Sequence, residues 1–443
     1  MLALLGAAVA HAEGPGVRAG DLVFHPHAWV GGGYDSNVFS ESKDDRSAIN
    51  DAVVLKVGGG LGLRNQNPNK VAIDIDSQVT YRHFTAINEL EGAASDLISS
   101  RNAVSDAGLK GKLVIGPRSV VSLSLHEDFG YTERPPYSDR DGLTASARVN
   151  GGQITEILGY QRISNQAGVD LAFHPGPPDG RALEMRLGYR FGLVRFLEAE
   201  ALGASRANQN SHDIKFKTSW KFLPKTAAEL TVNYRVNDFE QPLIVEDPGA
   251  NPVQSADRDN KPLTVTAGLR GLVTKRLSTL LEVGYGNSFN VVGDSYSMAV
   301  GRLELHYVIE PTLAARLGYQ RRAAPSAFSN FVTVDRIYAG ADLNFFRVFS
   351  LGLAGEFGYW SYSRSGSPAA VVNGERVTVQ RDDPVARAQV ALGYNALDWL
   401  VVRGTWTFEG NFTGYETPSS NVGESDHADY VRQQAMLEVR AQY

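Results

Sequence analysis

The stretch from Asp213 to Phe222 reads DIKFKTSWKF. Ile214, Phe216, Thr218, Trp220 and Phe222 alternate with Asp213, Lys215, Lys217, Ser219 and Lys221. Successive side chains of an extended chain point to opposite faces, so this run has one apolar and one polar face and reads as a β-strand. The next segment repeats the pattern, with Leu230, Val232, Tyr234 and Val236 against Glu229, Thr231, Asn233, Arg235 and Asn237. Further out, Val71, Ile73, Ile75, Val79 and Tyr81 oppose Asp74, Asp76, Gln78, Thr80 and Arg82, and Leu183, Met185, Leu187, Tyr189, Phe191 and Leu193 oppose Glu184, Arg186 and Arg190. No long stretch carries the 3.6-residue period of a helix. The chain reads as almost purely β.

Continued along the chain, the alternation predicts about 18 strands. They fall at 25–38, 50–63, 70–84, 100–114, 119–131, 160–174, 181–197, 208–223, 226–238, 261–274, 277–288, 295–309, 312–323, 332–346, 349–363, 384–395, 399–411 and 428–443. The connections alternate in length. Leu223-Pro224-Lys225, Lys275-Arg276, Glu310-Pro311 and Ala396-Leu397-Asp398 are short, while Thr132 to Gly159, Phe239 to Asn260, Arg364 to Asp383 and Thr413 to His427 are long and polar. A soluble propeller has no reason to sort its loops in this way, whereas outer-membrane barrels join short periplasmic turns to longer external loops.

Composition agrees with that class. The chain has 443 residues, a formal net charge of -6 with the signs interspersed, and no Cys. It therefore has no disulfide framework, thiolate metal site or cysteine nucleophile, and its charge gives no reason to expect nucleic acid as a partner. Met1 to Ala12, MLALLGAAVAHA, places an apolar run before an A-x-A-like site. It reads as a signal peptide shortened at its start, since the charged n-region is missing; a short buried helix is the competing reading. After Ala12 no apolar run approaches the roughly 18 residues of a membrane helix, which a barrel does not need. The expected organisation is signal peptide 1–12, a short periplasmic segment 13–24, and a transmembrane antiparallel up-and-down β-barrel 25–443 in the bacterial outer membrane.

The outward face is expected to meet lipid. A recurring triplet at Leu187-Gly188-Tyr189, Val283-Gly284-Tyr285, Leu317-Gly318-Tyr319, Phe357-Gly358-Tyr359 and Leu392-Gly393-Tyr394 puts Tyr outward and Gly inward. Tyr and Trp favour the membrane interface, so these tyrosines and Trp29, Trp220, Trp399 and Trp406 are girdle candidates. The last strand, with Leu437, Val439, Ala441 and Tyr443 on one face, ends on an aromatic in the manner that the barrel-assembly machinery reads.

The polar face carries Arg186, Arg190, Arg235, Arg270, Arg302, Arg316, Arg387 and Arg403 among Glu282, Glu304, Asp342 and Glu356. So many charges cannot line a dry core, and they imply a hydrated lumen. Guanidinium groups suit a polar or anionic ligand, but they also brace a wall by pairing across strands, as Glu304 is expected to pair with Arg316. The mixed signs predict no strong anion selectivity. The loop acids Asp44-Asp45 and Asp382-Asp383 read as solvated, and His25-Pro26-His27 lacks a third ligand. The sequence has no G-x-S-x-G, H-E-x-x-H or phosphate-loop motif. No enzyme activity, metal or cofactor is expected.

The run Gly31-Gly32-Gly33-Tyr34-Asp35-Ser36-Asn37-Val38-Phe39 closes the first predicted strand. It resembles the opening of a family of bacterial outer-membrane barrels associated with exopolysaccharide secretion, the 18-stranded polysaccharide-export porins of Wzx/Wzy-type pathways. The resemblance covers some nine residues, and strand count and loop alternation extend it less specifically. It implies a passive conduit that passes a polysaccharide chain and receives it from a periplasmic polysaccharide-export protein docked on the short turns. No motif residue is carried over as a ligand contact; Tyr34, Asp35 and Asn37 are expected to fix the strand end. The expected function is therefore polysaccharide export. A general or substrate-preferring uptake porin is the second reading, and an outer-membrane enzyme or surface-binding barrel the third.

Overall fold

In the computed structural model each alternating run is a strand, with boundaries within a few residues of those read from the sequence. The structure describes residues 14–38, 51–86, 102–133, 161–176, 182–197, 208–240, 259–324, 330–346, 348–363, 381–414 and 429–443, together with the backbone of 243–245, 254–256, 369–372, 375–378, 416–418 and 425–427. The expected signal peptide, Phe39 and most of the loop after Thr132 lie outside these residues. The barrel strands are β1 (Leu22–Asp35), β2 (Ala52–Asn65), β3 (Val71–Ala86), β4 (Ala103–Ile115), β5 (Val121–Glu133), β6 (Gln161–Phe173), β7 (Leu183–Phe196), β8 (Gln209–Leu223), β9 (Thr226–Phe239), β10 (Leu263–Leu272), β11 (Leu277–Asn287), β12 (Ser297–Glu310), β13 (Leu313–Ala324), β14 (Val332–Phe345), β15 (Phe349–Tyr362), β16 (Asp382–Leu397), β17 (Leu400–Asn411) and β18 (Tyr430–Gln442).

Each strand pairs antiparallel with the next, and β1 pairs with both β2 and β18, so the 18 strands close on themselves. At the seam Trp29 stands opposite Gly58 on one side and Arg440 on the other. The first strand starts at Leu22, earlier than the expected residue 25, and Val17–Ala19 folds back onto it. Gly20 makes that return possible, because it holds a φ of 65°, which a side chain would strain. Three long connections contain short hairpins that the alternation did not reveal: Leu243–Val245 with Gln254–Ala256, Ala369–Val372 with Glu375–Thr378, and Glu416–Pro418 with Ser425–His427.

The exposed file of each strand is apolar. Val53, Leu55 and Val57 on β2, Leu187 on β7, Ile337 on β14 and Leu437 and Val439 on β18 all stand open on the outer surface, as does Tyr443 beyond the last strand. The five triplet tyrosines are exposed too. Strand direction decides their height. Tyr189, Tyr285 and Tyr319, on strands running toward the long loops, form hydroxyl hydrogen bonds with His212 (2.8 Å), Ser297 (2.6 Å) and Asp335 (2.6 Å). Tyr394, on a strand running the other way, joins the short-turn end. There Phe345 stacks on Phe349 (5.3 Å) and Phe349 on Tyr394 (4.9 Å), while Phe346, 84% exposed, meets Phe345 edge-on. Trp220 and Trp399 are exposed near the same end and Trp406 midway along β17. A closed barrel with an apolar belt and aromatic edges is the build of a protein that spans the bacterial outer membrane, with its short turns in the periplasm.

Trp29 is a correction. It shares the file of His27 and Asp35, so it points inward and is only 9% exposed. Its ring stacks on His27 (5.6 Å) and lies under the Arg440 guanidinium (5.1 Å). A methyl on Gly58 would overlap that ring, so the glycine provides its seat.

The Tyr34–Val38 run lies at the closing seam. Fully buried Asp35 accepts hydrogen bonds from Arg432 (2.5 and 3.0 Å), Gln434 (2.6 Å) and the amide of Asn37 (3.2 Å). The Ser36 amide donates to the Gln433 carbonyl (2.9 Å), and the Gln433 amide returns a bond to Ser36 Oγ (2.8 Å). Asn37 Nδ2 donates to the Val431 carbonyl (3.2 Å). These residues clip the first strand to the last just beyond the ladder. Tyr34 instead stands outward and donates to Asp51 (3.2 Å).

An unpaired acid stands in the outer belt at mid-wall. Glu127 shares the outward file of Leu125, opposite Gly111 and Ala167, and forms no hydrogen bond or ion pair among the described residues. A carboxylate at mid-wall against lipid is costly. Glu127→Leu is therefore expected to raise folded stability in lipid vesicles by about 1–2 kcal/mol, read by urea titration. Conversely, Asp35→Asn leaves Arg432 buried without its nearest counter-charge, a loss of about 3–5 kcal/mol in such pairs. It should lower the temperature at which the folded band on a detergent gel shifts; an unchanged transition would deny the clip its role.

Candidate functional site

The site is the inner wall of the barrel. The inward files hold all twelve charged residues singled out in the sequence: Arg186 and Arg190 on β7, Arg235 on β9, Arg270 on β10, Glu282 on β11, Arg302 and Glu304 on β12, Arg316 on β13, Asp342 on β14, Glu356 on β15, Arg387 on β16 and Arg403 on β17. Each alternates with the outward apolar file of its own strand. The structure divides them between two arcs of very different character.

From β12 round to β1 the charges of one belt are consumed by one another, and Arg316 and Arg403 stand outside it with no ion pair among the described residues. Arg302 and the Tyr338 hydroxyl both donate to Glu304 (2.6 and 2.7 Å). Arg336 donates to Gln320 (2.8 and 3.0 Å) and reaches Glu356 (3.4 Å). Arg387 bridges Glu356 and Glu409 (3.0 Å each), and Tyr430 completes Glu409 (2.8 Å). Arg432 then continues the belt to Asp35. The expected Glu304–Arg316 pair does not form. Glu304 lies opposite Gly318 and Arg316 opposite His306, so the register offers Glu304 its own-strand neighbour Arg302 instead. Gly318, from the triplet motif, leaves the space that the Tyr338 ring fills. Hydrogen bonds to ionised groups are the strong ones, and here they make a stiff belt.

Above this belt, toward the long loops, the wall is packed. Ala324, Val332, Val334, Trp360, Tyr362 and Val385 form one buried cluster. Asp383, expected as a solvated loop acid, is buried and held by Arg381 (2.8 and 3.0 Å), whose guanidinium covers Tyr362 (5.0 Å). The reason is that β16 begins at Asp382, which draws this acid into the wall. At the rim, in the connection between β11 and β12, Tyr296 packs edge-on against Phe331 (5.3 Å), and burial pushes its hydroxyl up to about 12.

The arc from β6 to β10 is open. A cavity of about 330 Å³ lies against it, lined by Arg186, Arg190, Lys215, Lys217 and Arg270 with Asp170, Glu184 and Glu229. Glu184 takes Arg186 (2.8 Å), and Glu229 is shared between Lys217 (3.1 Å) and Arg270 (3.7 Å). The Arg270 side chain is 57% exposed. Closer to the loops, Asp213 holds Arg235 (2.9 Å).

Several of these residues were absent from the candidate set. Lys215 and Lys217 sit in the very stretch that fixes the strand pattern, and the same alternation places them inward. Arg336 and Asp335 are adjacent, so two charges in a row hide which of them faces in; Asp335 proves to be outward, pairing with Arg321 (3.1 Å). Tyr338 gave no signal, because an inward aromatic looks like an outward one.

No family model matches the chain, and no curated protein matches it. Solved structures of outer-membrane proteins are similar to it in fold at low identity. OpdK of Pseudomonas aeruginosa is 12% identical with a TM-score of 0.46, over 96% of this chain and 99% of that one. OpdQ of the same organism is 11% identical with a TM-score of 0.46, over 95% and 98%. The FrpB iron transporter of Neisseria meningitidis, F3-3 variant, is 9% identical with a TM-score of 0.43, over 94% and 81%. The strand pairing and the two-faced wall, rather than these likenesses, make the chain a closed antiparallel barrel of the outer-membrane kind with a charged inner wall.

Proposed function

We propose that the chain is a passive outer-membrane channel that admits small polar solutes. The observation that carries this reading is the open, charged cavity against β6–β10, inside a barrel whose outside is apolar. An 18-stranded barrel is wide enough for an aqueous path, and nothing but water or a hydrated solute suits so many unburied charges. The cavity of about 330 Å³ suits a solute the size of a sugar or an organic acid.

Polysaccharide export is the second reading. It is supported by the resemblance of the Gly31–Phe39 run, and it calls for a periplasmic export protein at the short turns. The described residues of that run are engaged in closing the barrel, so the resemblance speaks for shared wall construction more than for a polymer contact. In either case the outward file of β18, with Leu437, Val439 and Ala441, together with Tyr443, is the segment we assign to the assembly machinery.

Purified protein in planar bilayers is expected to give stepwise conductance, and vesicles carrying it should swell in monosaccharide solution. Absence of both overturns the channel. A deletion strain separates the readings: loss of small-solute uptake supports the first, and loss of a secreted polysaccharide with uptake intact supports the second.

A further inference from the structure

We propose that the wall from β6 to β10 holds a binding subsite for an oxyanion, centred on Arg190 and Lys215, and that it makes the channel prefer anionic solutes. The proposal rests on the channel reading only for its consequence in transport; binding itself can be tested apart from it.

The argument begins with how the charges are partnered. Five cations meet three carboxylates around the cavity. Arg186, Lys217 and Arg270 have carboxylates within 4 Å. Arg190 and Lys215 have neither an ion pair nor a side-chain hydrogen bond among the described residues. They sit on neighbouring strands two positions apart in register, Arg190 opposite Asp213 and Lys215 opposite Gly188, so both heads address the same space. The carboxylate directly across from Arg190 is already given to Arg235 (2.9 Å) and Asn233 (3.2 Å). Asp170 leans over Gly188, where a methyl would overlap it, and faces His126 at 3.8 Å.

The rest of the wall makes the contrast. On the arc from β12 to β1 Arg302, Arg336, Arg387 and Arg432 each have a carboxylate, while Arg316, Arg403 and Arg440 have no ion pair among the described residues and stand apart on separate strands. The expectation of no strong anion selectivity took charges of opposite sign to be mixed along the whole wall. Around this cavity cations are instead in surplus, with two of them side by side and unpaired among the described residues. A cavity of about 330 Å³ is at the small end of the ~300–1,000 Å³ typical of ligand sites. It suits one carboxylate or phosphate group with a body the size of a monosaccharide or a small organic acid. A guanidinium fork beside a compact ammonium recognises either oxyanion.

Two measurements test this on the full-length protein. In a bilayer under a KCl gradient, wild type should favour chloride over potassium, and Arg190→Gln combined with Lys215→Gln should lower that permeability ratio by at least about twofold. In detergent, calorimetric titration should show binding of inorganic phosphate or D-glucuronate and none of D-glucose, with the double variant at least about tenfold weaker. Binding of phosphate alone points to a free inorganic anion, and binding of glucuronate alone to a sugar or organic acid; either supports the subsite. An unshifted folded band on a detergent gel confirms that the double variant is intact. Binding of neither anion, equal binding by both proteins, or a permeability ratio unchanged by the substitutions overturns the proposal. A protein that binds the anions but passes no current retains the subsite and sinks the channel.

Discussion

Hydrocarbon offers no partner for a backbone amide, and the whole architecture answers that one constraint. Every strand must find a neighbour on both sides, so the first must meet the last. The seam between β1 and β18 is therefore where the fold succeeds or fails. It is also where side chains add most to the ladder. Asp35, Ser36 and Asn37 reach past the end of β1 to hold Arg432, Gln433 and Val431, while at the other end Trp29 lies between His27 and Arg440. Satisfying the backbone by closure also imposes the two-faced pattern, because a closed wall has a lipid side and a water side and nothing else.

The inner wall then divides its labour. A belt on one arc spends its guanidinium groups on neighbouring carboxylates and phenols, which stiffens it, and on the other arc Arg190 and Lys215 are left side by side without a carboxylate of their own among the described residues. Such a division does not show in the net charge of -6, to which loops and wall both contribute. It arises from register. A shift of two residues along β12 or β13 would exchange which arginine meets Glu304, and with it which charges remain free.

Strand count, direction and facing were legible because alternation is a local signal repeated in every strand, as in Asp213–Phe222. Three things were not. Trp29 and Tyr338 fit inward because glycines opposite them make room, and that depends on the neighbouring strand. The partner of Glu304 depends on pairing register, which short turns set and alternation does not report. Asp383 is buried because β16 starts earlier than its apolar residues suggest. The candidate site followed the same division. Its residues could be assigned to a face one by one, but which of them would be left unpaired emerged only from the assembled wall.

The stacked rings of Phe345, Phe349 and Tyr394, with Phe346 reaching beyond them, occupy a single flank of the short-turn edge. Arg321, Asp335 and Tyr319 make their polar knot on strands of that same flank, nearer the opposite leaflet. Between them they set the waterline twice along one short stretch of circumference. A cylinder marked at two depths on one side, and by Tyr189, Trp220, Tyr285 and Trp399 further round, resists both sliding and rocking in the bilayer.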